Sequence, residues 1–257
     1  MSLTAENLSV SLGRREVLSG VSFEARRGEL LVVVGPNGAG KTSLLKAIAG
    51  LAPSAGRLDW DGTPLGAMSA SARAKTLAYL PQGHVAHWPL AARDVVAIGR
   101  APFASSLARL TASDREAVDR AIAAVGATPF ADRPVTELSG GERARIMLAR
   151  ALAVGAPLLL ADEPVASLDP AHQLGVMDLL AAQAKEGRLV IAVSHDLLLA
   201  ARYADRILVL TGGRAVAFGA PRETLTAALL KQIFQVESVR LDAPGVSLDI
   251  PWSVDRG

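Results

Sequence analysis

Residues Gly35–Thr42 read GPNGAGKT, and no other stretch constrains the fold of this chain so tightly. The stretch follows Leu30 to Val34, an apolar run with the length of a buried strand. It precedes Lys41 to Ala49, where Leu44, Leu45 and Ile48 share one helical face and Gly50 supplies a stop. A glycine-rich turn in that setting matches a phosphate-binding loop. Gly35, Gly38 and Gly40 let the backbone wrap its N–H groups around phosphate oxygens, with Pro36, Asn37 and Ala39 completing the loop. The following helix directs its positive end at the same point. Lys41 is expected to reach the terminal phosphates, and Thr42, with Ser43 beside it, to place a hydroxyl on Mg²⁺. The loop alone suits an ATPase, a GTPase or a small-molecule kinase.

Composition narrows the setting. Half of the 257 residues are apolar and 20% are charged, which marks a globular chain able to bury a sizeable core. The net charge of +2 argues against a surface built to bind nucleic acid. With no cysteine, disulfides and thiolate metal sites are excluded. The start, MSLTAENLSV, lacks the basic and apolar segments of a secretory signal. Mean hydropathy is high at +0.30. Yet the apolar runs at 30–34, 156–161 and 189–193 fall well short of the roughly 18–20 residues of a spanning helix. They read as strands buried on both faces of a parallel sheet.

Pattern along the chain predicts strands over 3–27, a turn at Trp60 to Thr63 and a strand at 77–80. A helical region from about Gly83 to Ala153 follows, with helices at 94–98, at 113–125 (capped by Ser113 and Glu116) and from Ser139. Strands at 158–161 and 189–193 then alternate with helices from Asp169-Pro170 and over 196–203. A hairpin over Gly212-Gly213, a helix at about 224–234 and a tail containing Pro244, Gly245 and Pro251 complete the chain. The layout is an α/β core (1–85 and 154–236), a helical insertion (86–153) and a C-terminal tail (237–257).

Two further stretches carry chemistry. LLLADEP, Leu158 to Pro164, is a buried strand ending in adjacent carboxylates, which are costly there unless they face a cation or a polar site. Asp162 is the candidate for Mg²⁺ and Glu163 for orienting and deprotonating an attacking water. LSGGE, Leu138 to Glu142, opens a basic helix. Ser139 and Glu142 make a capping box, but that leaves two glycines in a first turn that they weaken. Close approach of a phosphate to bare N–H groups accounts for Gly140 and Gly141.

With these three motifs together, the chain resembles the nucleotide-binding subunits of ATP-binding-cassette (ABC) transporters, over roughly Leu3 to Val236. The resemblance implies a P-loop NTPase (RecA-like) core with an antiparallel β subdomain and an inserted α-helical subdomain, hydrolysing ATP with Mg²⁺. It implies that Ser139, Gly140 and Gly141 touch the γ-phosphate bound by a second copy, so that two copies enclose two ATP molecules. Gln82 takes the place of a glutamine that contacts Mg²⁺ and senses the membrane partner, and His195 that of a histidine on the γ-phosphate. Asp169 matches a conserved loop aspartate of the family and is equally a helix N-cap. Implied partners are two transmembrane permease subunits and, indirectly, a periplasmic or surface binding protein, with the chain peripheral at the cytoplasmic face of the membrane and no nucleic acid.

The runs VVAIGRAPF (95–103), HDLLLAARYADRILVL (195–210) and GAPRETLTAALLKQIFQV (219–236) resemble importers of metal chelates, meaning iron–siderophore complexes, haem or cobalamin. Zinc, manganese and molybdate importers share parts of them. An exporter subunit and a soluble cassette ATPase are the competing classes, although the latter usually carries two cassettes, a coiled-coil insertion or a zinc module. Trp88, Leu90 and Phe103 either line a groove for a membrane subunit's helix or pack within the helical lobe. His84 and His87 suit a loop face better than a metal site.

Two positions depart from the family pattern. Glu142 stands where glutamine is commoner, beyond the phosphate-binding glycines. Leu12 aligns with the aromatic residue that stacks on adenine in many relatives, and only 4% of the chain is aromatic. Such stacking contributes about 1–3 kcal/mol per base. Its loss predicts weak preference for adenine: steady-state assays should give similar turnover of ATP and GTP, and strong ATP selectivity would refute this.

Overall fold

A computed structural model describes residues 1–83, 89–103, 110–166, 168–243 and 246–254. His84, His87 and Trp88 lie outside the described residues. The chain opens with β1 (Ser2–Leu12), β2 (Arg15–Arg26) and β3 (Leu30–Val34), then α1 (Lys41–Ile48), β4 (Ser54–Trp60), β5 (Thr63–Pro64), α2 (Ala70–Thr76) and β6 (Leu77–Leu80). Helices α3 (Ala92–Ala97), α4 (Ala112–Ala124) and α5 (Gly140–Ala153) come next, followed by β7 (Leu158–Asp162), α6 (Pro170–Lys185), β8 (Leu189–Val193) and α7 (Leu197–Tyr203). The last elements are β9 (Arg206–Thr211), β10 (Arg214–Gly219), α8 (Pro221–Thr224), α9 (Ala227–Phe234), β11 (Val236–Ala243) and β12 (Val246–Val254).

Among the described residues the strands form three sheets: β10-β9-β3-β8-β7-β6, β2-β1-β4-β5 and β11-β12. In the first, every neighbouring pair is parallel except β9 with β10. Strands β3, β7 and β8 are buried at every position, as their unbroken apolar runs predict. Their side chains alternate between two cores. Val32, Leu159 and Val190 face the helices α3 to α6, whereas Val33, Leu160 and Ile191 face α1 and the antiparallel sheet. Parallel strands bring all their carboxyl ends to one rim, and polar groups at that rim escape burial in either core. There the sequence places Gly35 after β3, Gln82 after β6, Glu163 after β7 and His195 after β8.

Helices α3 and α4 pack on α5 between β6 and β7. Arg100 secures them: its guanidinium donates to Asp114 at 2.9 Å and to the carbonyls of Ala153 and Val154 at 2.7 and 3.1 Å, satisfying the end of α5. The cap of α4 differs from the sequence expectation. Thr111, not Ser113, is the N-cap, and Asp114, not Glu116, closes the box. Asp114 is buried and already paired with Arg100, while Glu116 turns outward to Arg120 at 3.7 Å.

The helix expected at about 224–234 is α9, which starts at Ala227 because Thr226 has extended backbone and its hydroxyl caps the helix by accepting from Leu229 N; the short α8 precedes it. The expected tail forms the β11–β12 hairpin, held to α9 by Lys231 with Glu237 (2.7 Å) and by Ala227 N donating to Asp249 (3.2 Å). Pro251 reads as a strand breaker, but a two-stranded ribbon has only edges, where proline is tolerated. No helix among the described residues is long and apolar enough to cross a membrane.

One backbone contact fixes the start of the phosphate loop. Gly35 has φ +152°, and a Cβ there would lie 2.0 Å from the Leu210 carbonyl oxygen of β9. A Cβ at Gly38 would meet open space, although φ is +78°. Gly35→Ala should therefore destabilise the fold by about 2–4 kcal/mol through backbone displacement, and Gly38→Ala by only about 1–2 kcal/mol of left-handed strain. Equal shifts of the two urea midpoints would show that the β3–β9 approach is not limiting.

Candidate active site

An open cleft of about 790 Å³ sits on the rim, lined by the loop from Asn37 to Ser43 together with Gln82, Glu163, His195, Arg15 and Val17. The loop is stretched around it by left-handed glycines at 38 and 40. Among the described residues no protein acceptor meets the N–H groups of Gly38, Gly40, Lys41, Thr42 or Ser43. A row of free donors at a helix N-terminus is a cradle for phosphate oxygens. Lys41 is 6% exposed, and its ammonium donates to the carbonyls of Gly35 (2.7 Å) and Pro36 (3.0 Å). Burial pulls its pKa down, opposed by the charges of Glu163 and Asp162.

Behind the cradle, Thr42 Oγ1 donates to Asp162 Oδ1 at 3.1 Å, and the Tyr79 hydroxyl donates to Asp162 Oδ2 at 3.2 Å. Asp162 is 1% exposed, and burial holds its pKa above the usual carboxylate range. Burial also raises the pKa of Tyr79, with the Asp162 charge adding to the effect. A desolvated carboxylate beside a hydroxyl is an oxygen-only donor pair, which suits a hard divalent cation such as Mg²⁺. The residues present thus fit the ion. Tyr79 carried no signal in the sequence beyond its place in β6.

Glu163, the next residue, adopts φ +52°, a conformation that costs a non-glycine residue about 1–3 kcal/mol. This turn carries its carboxylate off the strand and into the cleft. Gln82 Nε2 donates to Glu163 Oε2 at 2.7 Å, and His195 Nε2 lies 2.5 Å from Oε1. Four strand ends thus converge on one polar cluster, and every predicted residue near the loop is in it.

The remaining predicted residues lie elsewhere. Ser139 caps α5, accepting from Glu142 N at 3.2 Å while Glu142 Oε2 accepts from Ser139 N at 2.8 Å. A Cβ at Gly140 would meet nothing within 4 Å, and one at Gly141 only Leu168 Cδ2 at 3.7 Å. Packing within the protomer therefore does not demand these glycines. Asp169 caps α6, accepting from His172 N at 3.0 Å, and its other oxygen lies 2.5 Å from His172 Nδ1. None of these residues lines the cleft, and neither does Leu12; Arg15 and Val17 of β2 do, beside the loop at Gly40.

Comparison with known proteins decides the family. The model of the ABC transporter family matches residues 18–166. The chain belongs to that family. It is an ATP-hydrolysing subunit with the P-loop NTPase fold expected from the sequence. Over 97% of its length it is 45% identical to the hemin import ATP-binding protein HmuV of Nocardia farcinica, covering 87% of that protein. It is 44% identical over 91% of its length to the cobalamin import ATP-binding protein BtuD of Halobacterium salinarum, covering 59% of that longer chain. Among solved structures, a chain described as a metal-chelate type ABC transporter in an inward-facing conformation superposes with a TM-score of 0.84 at 26% identity, covering 98% of this chain and 97% of that one.

The Asp162 carboxylate gives this ABC ATPase a pH signature. Its folded pKa is raised, so between the ordinary carboxylate range and that raised value the folded state holds more protons than the unfolded state, and stability falls as pH rises. Above that raised value the destabilisation is complete. Asp162→Asn should raise the melting temperature of the nucleotide-free, Mg²⁺-free protein by about 2–4 °C, the shift expected for 1 kcal/mol in a domain of this size. A lower melting temperature in scanning fluorimetry would refute the assignment.

Proposed function

We propose that this ATPase powers an importer of metal chelates of the haem and cobalamin type, with haem the first candidate, working as a homodimer on two permease subunits at the cytoplasmic membrane face. The observation that carries the reading is the convergence of Lys41, Gln82, Asp162, Glu163 and His195 on a cradle of free N–H groups. The relatives named for hemin import support the choice of cargo, and the relatives named for cobalamin import make a corrinoid the second candidate. A binding protein outside the membrane delivers the chelate, which this chain does not touch.

In the proposed mechanism the loop from Gly35 to Ser43 holds the triphosphate and Lys41 pairs with its terminal phosphates. Thr42 and Asp162, with Gln82 from the side, would hold Mg²⁺, which would supply positive charge beside the phosphates. Glu163 takes a proton from water as the water oxygen bonds to the γ-phosphorus; the bond to the bridging oxygen breaks, and ADP and phosphate leave. His195 donates to the γ-phosphate. Ser139, Gly140 and Gly141 of a second copy close over that phosphate, with Asp169 at the same face, and the open space at Gly140 is the room this requires.

We assign the domains as an α/β core at 1–85 and 154–236, a helical insertion at 86–153 and a C-terminal tail at 237–257. An apolar groove of about 330 Å³ between core and insertion, lined by Leu51, Tyr79, Ile98, Pro102 and Arg150 among others, is the proposed seat of the permease's cytoplasmic helix. Leu51 is 65% exposed, which suits it to this contact. Phe103, next to the lining Pro102, is 43% exposed and covered by Arg100 at 4.1 Å; Leu90 is also exposed. Tyr79 belongs both to this groove and to the hydrogen bonds of Asp162, so a helix pressed into the groove is felt at the Mg²⁺ side of the site.

Glu163→Gln is the test. The variant should bind ATP like the parent, lose turnover by on the order of 10²–10⁴ and elute as an ATP-dependent dimer. Parental hydrolysis by the variant overturns the assignment of the base. For the cargo, the assembled transporter in vesicles should take up hemin only with ATP, and uptake of cobalamin alone would select the second candidate.

A further inference from the structure

We infer that Arg15, seconded by Val17, is the platform on which the purine base of the nucleotide lies in this chain; the inference rests on the reading of the cleft as the nucleotide site. Strand β2 bulges at this point: Glu16 pairs with Ser11 and Leu18 with Val10, which leaves Val17 as the extra residue. Arg15 and Val17 both line the cleft, whereas Leu18, the next residue along, is fully buried in the core.

Their place is held firmly. A Cβ at Gly40 would come within 2.7 Å of the Val17 carbonyl oxygen and 2.5 Å of Leu18 Cδ2. A Cβ at Gly213, in the β9–β10 turn, would also lie 2.7 Å from the Val17 oxygen, and Ser19 N donates to Gly213 O at 2.8 Å. The start of β2 is thus wedged between the end of the phosphate loop and a second turn, so this wall keeps a constant distance from the phosphate cradle.

The chemistry of that wall is limited. Among the described residues no aromatic side chain lines the cleft, and Leu12 stands 54% exposed outside it. Once the loop and the Gln82, Glu163 and His195 cluster are engaged with phosphates, ion and water, Arg15 and Val17 are the lining residues that remain among those described. Among the described residues Arg15 has no hydrogen-bond or ion-pair partner that would hold it elsewhere. A guanidinium is planar and weakly hydrated, and it stacks on aromatic faces where an ammonium does not. A base lying on its face is read by shape and not by its exocyclic groups, so adenine and guanine are accepted alike.

The experiment is titration of the intact protein with ATP, GTP and inorganic tripolyphosphate in Mg²⁺, comparing Arg15→Ala, Arg15→Lys and Arg15→Trp with the parent. Arg15→Ala should weaken ATP and GTP together by about 3- to 30-fold while tripolyphosphate stays within about twofold, and Arg15→Trp should restore both nucleotides where Arg15→Lys does not. Equal loss of tripolyphosphate would make Arg15 a phosphate ligand, and full rescue by lysine would make it a mere charge. Loss for one purine alone would make it a reader of the base edge. Each of these, or unchanged nucleotide affinity in Arg15→Ala, overturns the inference. A parent that binds neither ATP nor tripolyphosphate overturns instead the nucleotide-site reading beneath it.

Discussion

The approach of β3 to β9 at Gly35 sets the geometry on which everything at the rim depends. The backbones are so close that a single Cβ would strike the Leu210 carbonyl. Because the loop must leave β3 at that point, its N–H groups turn inward over the strand ends, and Lys41 is drawn in to cap the carbonyls of Gly35 and Pro36. A lysine held in this way is preorganised: its ammonium has lost most of its water before any phosphate arrives. Strands buried on both faces impose the rest, since Asp162, Glu163 and His195 have nowhere to be polar except at the carboxyl ends of β7 and β8.

Much of this was legible in the sequence, for a physical reason. Continuous apolar runs of strand length that end in charged or glycine residues have few alternatives to a two-faced parallel sheet with its chemistry at one edge. The runs at 30–34, 158–161 and 189–193 therefore predicted both the core and the location of the site. Short-range turn chemistry was less legible. Ser113 with Glu116 is as good a capping box on paper as Thr111 with Asp114, and the choice between them is made by Arg100, which approaches from another part of the chain and pairs with Asp114. The terminal hairpin was hidden because Pro251 reads as a breaker unless the strand is known to be an edge.

Within the site, the residues missed were those whose role is to face a known group. Tyr79 is an ordinary residue of a buried strand until β6 is laid beside β7, at which point its hydroxyl meets Asp162. Arg15 is an ordinary surface arginine until Gly40 and Gly213 are seen to fix the start of β2 against the loop. Periodicity cannot reveal either one, since both depend on contacts between segments far apart in sequence. Leu12, aligned with an aromatic position, stands outside the cleft, while Arg15 and Val17 on the neighbouring strand of the same hairpin line it.

The arrangement around Glu163 bears on why such a site stays quiet without nucleotide. Both carboxylate oxygens are occupied, one by Gln82 and the other by His195, and the residue is held in a left-handed conformation that it would not choose alone. A base engaged in this way has part of its acceptor capacity on each oxygen already taken, and its orientation set by two neighbours. In the proposed mechanism His195 turns to the γ-phosphate and Gln82 would turn to the ion, so the groups that recognise the triphosphate are the same groups that release the base. The signature glycines of the second copy then shut out bulk water. Hydrolysis becomes conditional on two events, filling of the cradle and arrival of the partner, and neither protomer contains the means to satisfy both.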